Sequence, residues 1–338
     1  MKKTDYFSLK FEDDKLVFLD QTKLPFMEDY IATDDYNRIA EAIERLEVRG
    51  APAIGITAAY GLALSIKNSD SSSVEQDFQT AYNRLKRTRP TAVNLFMALE
   101  TLQQVFNERD PSDVPYHKLI SKARELHEDD TDKCKKIGEL GLNIFLKKST
   151  VLTHCNTGKL ATGGDGTAFS VIKTGFEKGL VSYVYADETR PLLQGLRLTA
   201  FELQKNGIPY SVLNDSAAAS LLKSGKVDLA VVGADRIALN GDTANKIGTY
   251  NLAVSCFYHE IPFYVAAPTT TIDRKIAGGE DIIIEFRNKD EITRPNGIQL
   301  SPEIDEAYTP AFDVTPAHLI KGIITEEGIF SFPYNFIK

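Results

Sequence analysis

Only three cysteines occur in 338 residues, Cys134, Cys155 and Cys256. Their odd number, wide spacing and lack of any CxxC pair exclude a disulfide framework, argue against a zinc site and suit a reducing compartment. No stretch approaches 18 apolar residues, so no membrane-spanning helix and no membrane partner are expected. Behind the two lysines of MKKTDYFSLKFEDDK there is no apolar run, and the expected location is the cytoplasm. Basic charge is scarce too: 39 Lys and Arg against 47 Asp and Glu leave a net charge of -8, which repels a phosphate backbone at long range. Nucleic acid is therefore not an expected partner, although a few arginines and a helix N-terminus can still make one positive pocket for a small anion. GxGxxG and a Walker A loop are both missing, which weakens dinucleotide and nucleoside triphosphate readings. No metal-ligand cluster appears, and no cofactor is expected.

What is present is ordinary in bulk and patterned in detail. The chain is 43% hydrophobic and 25% charged, the balance of a soluble globular protein. At this length it should bury roughly three quarters of the surface its unfolded form exposes. In the first third, Tyr36, Ile39, Ala40, Ile43 and Leu46 recur at helical spacing behind Asp34 or Asp35 as a cap. The stretch 67–77 reads as a surface loop, and 74–87 and 92–106 as further amphipathic helices. The acidic run ELHEDDTDK either opens a helix or marks a seam. The expected division is a mainly helical domain over 1–125 and a second domain over 126–338.

From residue 149 short apolar runs alternate with helical windows. Strands are predicted at 149–154, 181–186, 210–213, 229–233 and 263–267, and helices at 167–177, 192–206, 217–224 and 246–259. Regular alternation of this kind predicts an α/β fold, with a Rossmann-like, doubly wound parallel sheet. Ligands in such sheets bind beyond the carboxyl ends of the strands. Those ends are His154-Cys155-Asn156, Asp187-Glu188-Thr189-Arg190, Asn214-Asp215-Ser216, Gly233-Ala234-Asp235 and Ala267-Pro268-Thr269. Asp215-Ser216 reads as a helix cap, with a catalytic role as the alternative. After Cys155, the glycines 158, 163, 164 and 166 resemble a phosphate cradle, the plainer alternative being a flexible loop. Cys155 is either a small buried hydrophobe or a thiol activated by nearby N–H dipoles. Asp235 closes an apolar run and suits an acid of raised pKa, unless Arg236 or Lys246 pairs with it. Arg49 in RGAP and Arg89 in RPTAVN each suit a two-pronged phosphate contact or a plain surface arginine.

Taken together, RGAPAIG, RPTAVN, THCNTGKLAT, DETRPLLQGLRLTAFEL, GADRIALNGDTANKIGTYNLAV, APTTTID and PAFDVTPAHLIKGIITEEG resemble, in order from about residue 48 to 328, the motifs of the methylthioribose-1-phosphate isomerase family. The resemblance implies an N-terminal helical domain, a Rossmann-like domain without dinucleotide, and a homodimer. It further implies an isomerase that takes 5-methylthioribose 1-phosphate to 5-methylthioribulose 1-phosphate in methionine salvage, with a small-molecule sugar phosphate as its ligand. By that resemblance Cys155 and Asp235 correspond to the catalytic pair, and Arg49, Gly50, Ala51, Arg89, Gln194, Asn245 and Lys246 to substrate-binding positions. The chain departs from the family pattern at Asp187 and Phe286. Isomerases of 5-deoxyribose 1-phosphate or ribose 1,5-bisphosphate, and the sugar-phosphate-binding regulatory subunits of translation initiation factor 2B, share the fold and stand as alternatives.

Overall fold

A computed structural model describes residues 6–89 and 92–336, so Pro90 and Thr91 of RPTAVN lie outside the described residues. The chain divides into two compact units. One runs to residue 135 and includes Gly158–Gly166; the other comprises 136–157 and the chain from 167 onward.

The first unit opens with a three-stranded antiparallel meander, β1 (Leu9–Glu12), β2 (Lys15–Leu19) and β3 (Tyr30–Thr33). The helical expectation missed it, because its strands are short and interrupted by charge. Alternation puts Leu16 and Phe18 of β2 into the core formed with the helices that follow. These are α1 (Tyr36–Glu44), α2 (Ala51–Leu64), α3 (Val74–Lys86), α4 (Val93–Asn107) and α5 (Tyr116–Leu140). Asp35 caps α1 by accepting from the Asn37 amide at 2.8 Å. In α2 every residue from Ala53 to Leu64 is buried, so it carries no amphipathic stripe. Phe78 of α3 stacks on Phe106 of α4 with ring centroids 3.8 Å apart.

Helix α5 runs straight through residue 125. The acidic run lies within it and does not open it, and an Asp129–Lys133 pair at 2.6 Å stabilises it. The units divide at Lys135, ten residues beyond the expected boundary.

The second unit contains β4 (Ser149–Thr153), α6 (Ala168–Glu177), β5 (Val181–Asp187), α7 (Ala200–Lys205), β6 (Tyr210–Leu213), α8 (Ala218–Lys223), β7 (Leu229–Val232), β8 (Arg236–Ile237), β9 (Thr243–Lys246), α9 (Thr249–Tyr258), β10 (Phe263–Ala266), α10 (Asp290–Thr293), β11 (Phe312–Thr315), β12 (Gly322–Thr325) and β13 (Gly328–Phe330). Seven strands form the main sheet in the order β13-β12-β10-β7-β4-β5-β6. All pairings are parallel except that of β13, which closes a hairpin on β12. Both faces are covered. Leu152, Val232 and Val265 pack with Leu222 of α8 and Leu252 of α9 on one face. Val151, Val184 and Val231 pack with Phe169 of α6 and Leu203 of α7 on the other. This is the doubly wound α/β fold that the alternating pattern implies.

The strand order fixes where a site can form. From β4 the chain winds outward through β5 and β6, then returns to place β7 on the opposite side of β4. The switch in direction lies between β4 and β7, the position at which open α/β sheets bind their ligands. Beyond β7 a small antiparallel sheet, β11-β9-β8, was not anticipated. Its strand β9 is the polar run Thr-Ala-Asn-Lys. Lys246 therefore ends a strand, and the helix expected from 246 starts at Thr249.

Candidate functional site

Cys155 and Asp235 follow the two strands that flank the switch. Strands β4 and β7 pair at Val151 with Leu229 and Leu152 with Ala230, and the Thr153 hydroxyl donates to the Val231 carbonyl at 2.8 Å. Asp235 stands where the chain leaves the main sheet for the small one, its amide donating to Ala244 at 2.9 Å. Of its suspected partners, Arg236 lies 3.8 Å from Asp273. Lys246 donates to the Ala311 carbonyl at 2.9 Å and sits over the Phe312 ring. Asn245, buried in β9, donates to the Thr249 hydroxyl at 3.0 Å.

The backbone of Cys155 is in the left-handed region, φ 65°, which a non-glycine residue adopts only where its surroundings enforce it. Two threonines do so. Thr189 accepts from the Cys155 amide at 2.9 Å, and Thr199 donates to the Cys155 carbonyl at 2.5 Å. Thr189 is itself left-handed, φ 65°. Asp215 secures it, one carboxylate oxygen accepting from the Thr189 amide and the other from the Arg190 amide, both at 2.7 Å. Asp215 is therefore not a helix cap but a brace between two strand tips.

Behind Cys155 lies a buried ion pair that the sequence did not suggest. His154 is 1% exposed and Asp187 2%. Imidazole Nδ1 is 2.9 Å from the Asp187 carboxylate, and Nε2 is 2.9 Å from the Ile247 carbonyl. A carbonyl can only accept, so Nε2 carries hydrogen, and a second proton lies between Nδ1 and the carboxylate. Burial raises the Asp187 pKa. It opposes charge on His154, but the hydrogen bond and charge of Asp187, with Asp215 behind, outweigh it and shift the imidazole upward. As a unit the pair keeps its proton. Gly248 makes room for the ring: its φ is +103°, and a Cβ there would lie 2.8 Å from the imidazole Cε1.

The donor atoms of His154, Asp187 and Asp215 lie within 4.8 Å of one another, a grouping no spacing in the sequence revealed. Within it, Nδ1 of His154 faces one Asp187 oxygen, the other Asp187 oxygen is buried without a hydrogen-bond partner, and both Asp215 oxygens accept backbone amides. The His154–Asp187 pair shares a proton, and Asp215 braces the neighbouring turn through two backbone amides.

Gln194 ends the segment after Thr189. It is 1% exposed, and neither its amide nitrogen nor its amide oxygen has a hydrogen-bond partner. It directly precedes a π-helical turn, Gly195–Thr199, that leads into α7, a departure from α geometry that recurs at functional sites. The expectation was one uninterrupted helix over 192–206. A buried amide with both ends unpaired is costly and calls for a ligand to satisfy it.

In the first unit, RGAP proves to be a helix start. Gly50 is the N-cap of α2 at φ 86°, with Pro52 in the first turn. No other residue fits, since a Cβ at Gly50 would lie 2.2 Å from the Ala161 carbonyl oxygen. Arg49 immediately precedes this start, and Arg89 precedes α4.

The glycine loop 158–166 does not form an open anion cradle. Its groups are already used: the Gly163 amide donates to Asp130 at 2.7 Å, and the Gly163 carbonyl accepts from Thr131 and His127. Leu160 accepts from Gln21 and Ser8, while the amides of Gly164 and Gly166 approach the Cys134 thiol. The glycines allow close packing against α5.

The model of the initiation factor 2 subunit family matches residues 47–332. A methylthioribose-1-phosphate isomerase from Caldicellulosiruptor saccharolyticus is 49% identical over 334 residues, spanning 96% of each chain. Among solved structures, the 5-methylthioribose 1-phosphate isomerase from Pyrococcus horikoshii OT3 superposes with a TM-score of 0.91 at 39% identity, covering 98% of this chain and 94% of its own. Subunit delta of translation initiation factor eIF-2B from A. fulgidus superposes with a TM-score of 0.88 at 38% identity, covering 98% and 97%.

Proposed function

This chain belongs to the initiation factor 2 subunit family and, within it, to the methylthioribose-1-phosphate isomerases, and on that premise we propose that Asp235 and Cys155 are its reacting groups. The reaction converts 5-methylthioribose 1-phosphate into 5-methylthioribulose 1-phosphate. The phosphate on C1 locks the furanose against spontaneous opening, so the enzyme must open the ring itself. Asp235 gives its proton to the ring oxygen as the bond from C1 to that oxygen breaks. The Cys155 thiolate then takes the proton from C2, and the electron pair left behind forms the C1=C2 enol. In the final step the 2-hydroxyl proton returns to the Asp235 carboxylate while the thiol delivers its proton to C1. Both groups end as they began.

For substrate binding we propose Arg49, Gly50, Ala51, Arg89, Gln194, Asn245 and Lys246. A cytoplasmic homodimer that takes no cofactor completes the proposal. The observation that carries it is the placement of Cys155 and Asp235 after the two strands flanking the topological switch, with the Cys155 backbone held in a left-handed conformation by two threonine hydroxyls. The likeness to an eIF-2B subunit favours a second, regulatory reading, in which the sugar phosphate binds without reacting.

One assay separates the readings. Purified protein is given 5-methylthioribose 1-phosphate, 5-deoxyribose 1-phosphate and ribose 1,5-bisphosphate in parallel, with D235N and C155S beside the wild type. The expected outcome is turnover of the methylthio substrate and a loss of at least about a hundredfold in D235N. Binding without turnover in the wild type would establish the regulator, and undiminished turnover in D235N would remove Asp235 from the chemistry.

A further inference from the structure

We infer that the buried His154–Asp187 pair is the positioning device of this site, acting through the backbone of Cys155 and not on the substrate. The inference rests on the catalytic reading of Cys155 given above.

Three segments of the site meet on one imidazole. His154 immediately precedes Cys155. Its Nδ1 faces Asp187 at the end of β5, two residues before the Thr189 whose hydroxyl accepts from the Cys155 amide. Its Nε2 faces the carbonyl of Ile247, the residue after Lys246. The Thr189 hydroxyl also donates to the Asp187 carbonyl at 3.1 Å, so the carboxylate that holds the imidazole and the hydroxyl that holds Cys155 are fixed to each other. Asp215 braces the same turn from β6 through two amides. A ring tied at both nitrogens thus sets the tip of β4 against the tip of β5 and against the turn after β9.

The chemistry demands a histidine here. Both ring nitrogens face acceptors, and a glutamine offers donors at one end only, so H154Q leaves either the carboxylate or the Ile247 carbonyl unpaired. Asparagine at 187 keeps the arrangement with neutral groups: its amide donates to Nδ1 of a ring that still donates from Nε2 to Ile247. A histidine that merely filled the core would influence stability and leave the turnover of folded enzyme unchanged. A positioning residue alters turnover at constant substrate binding, since displacing a reacting group by about an ångström is worth on the order of a hundredfold in rate.

The experiment compares H154Q, D187A, D187N and C155S in the full-length protein, measuring kcat, KM and the urea midpoint of each. The expected result is that H154Q and D187A lose kcat on the order of a hundredfold with KM held within about twofold. D187N is expected to retain kcat within about fivefold of the wild type. If H154Q and D187A shift the urea midpoint while folded enzyme turns over at the wild-type rate, the inference is overturned. It is also overturned if D187N, the isosteric variant that keeps the fold, loses as much kcat as D187A. C155S separates the two layers: an active C155S refutes the catalytic reading of Cys155, whereas an inactive C155S beside a fully active H154Q refutes only the positioning role.

Discussion

Asp130 offers a test of the packing of the glycine loop that is independent of catalysis. Its carboxylate is buried on α5, accepts from the Gly163 amide at 2.7 Å and lies 3.9 Å from the Cys134 thiol. Burial pushes its pKa from 3.8 up to about 6, against the opposing pull of that hydrogen bond and of Lys133. Because the folded state holds the proton more tightly than the unfolded one, this group favours folding below about pH 4, and that contribution is lost as pH rises to about 6. At about 1.4 kcal/mol per unit, a gap of roughly two units is worth about 3 kcal/mol. Asparagine keeps an acceptor for Gly163 and cannot ionise. In urea unfolding, D130N should match the wild type near pH 4 and exceed it by up to about 3 kcal/mol near pH 7.5. His127, whose pKa is lowered by burial, titrates in both proteins and cancels in the difference. A stability difference independent of pH, or a variant weaker than the wild type near pH 7.5, would refute the reasoning.

Further expectations concern the second unit. Q194M removes a buried amide that has no partner in the free protein, so thermal unfolding should show equal or greater stability while kcat/KM falls about ten- to a hundredfold; unchanged kcat/KM would take Gln194 out of the site. G248A places a methyl 2.8 Å from the His154 ring at φ +103° and should cost about 2–4 kcal/mol in denaturant unfolding, a cost that a wild-type midpoint would disprove. Of the three thiols, Cys134 and Cys256 are buried, burial pushing the Cys256 thiol up to about 12 and Cys134 also upward, whereas Cys155 is partly accessible. A thiol reagent should label Cys155 alone in the native protein, as peptide mapping would reveal, and fast labelling of either other cysteine would contradict the packing.

The legible part of the fold was the part written in periodicity. Strands β7 and β10 are apolar on both faces because helices cover both faces, and β4, β5 and β6 are apolar enough to stand out as short runs. The strands that escaped notice follow other rules. Strand β9 is Thr-Ala-Asn-Lys, held by pairing with β8 and β11 and not by hydrophobicity, so Asn245 and Lys246 were accessible through resemblance only. In α2 the burial of every face erases the stripe that marks a helix. At the site, Cys155 and Asp235 could be found because each ends an apolar run. Their supports could not, since His154 and Asp187 lie 33 residues apart and Asp215 acts 25 and 26 residues from its own position. Local sequence suggested an N-cap for Asp215, and the tertiary structure uses the same carboxylate on a neighbouring tip. The glycine loop misled for a related reason: glycines admit either an anion or another segment of chain, and here the neighbour is α5.

The proton route through Cys155 is the central chemical claim, and running the reaction in deuterium oxide tests it most directly. Proton abstraction from C2 by the thiolate, followed by return to C1, should leave solvent deuterium at C1 of the ketose product, read by proton NMR or mass spectrometry. Complete retention of the substrate hydrogen at C1 would contradict it and point to direct hydride transfer from C2 to C1.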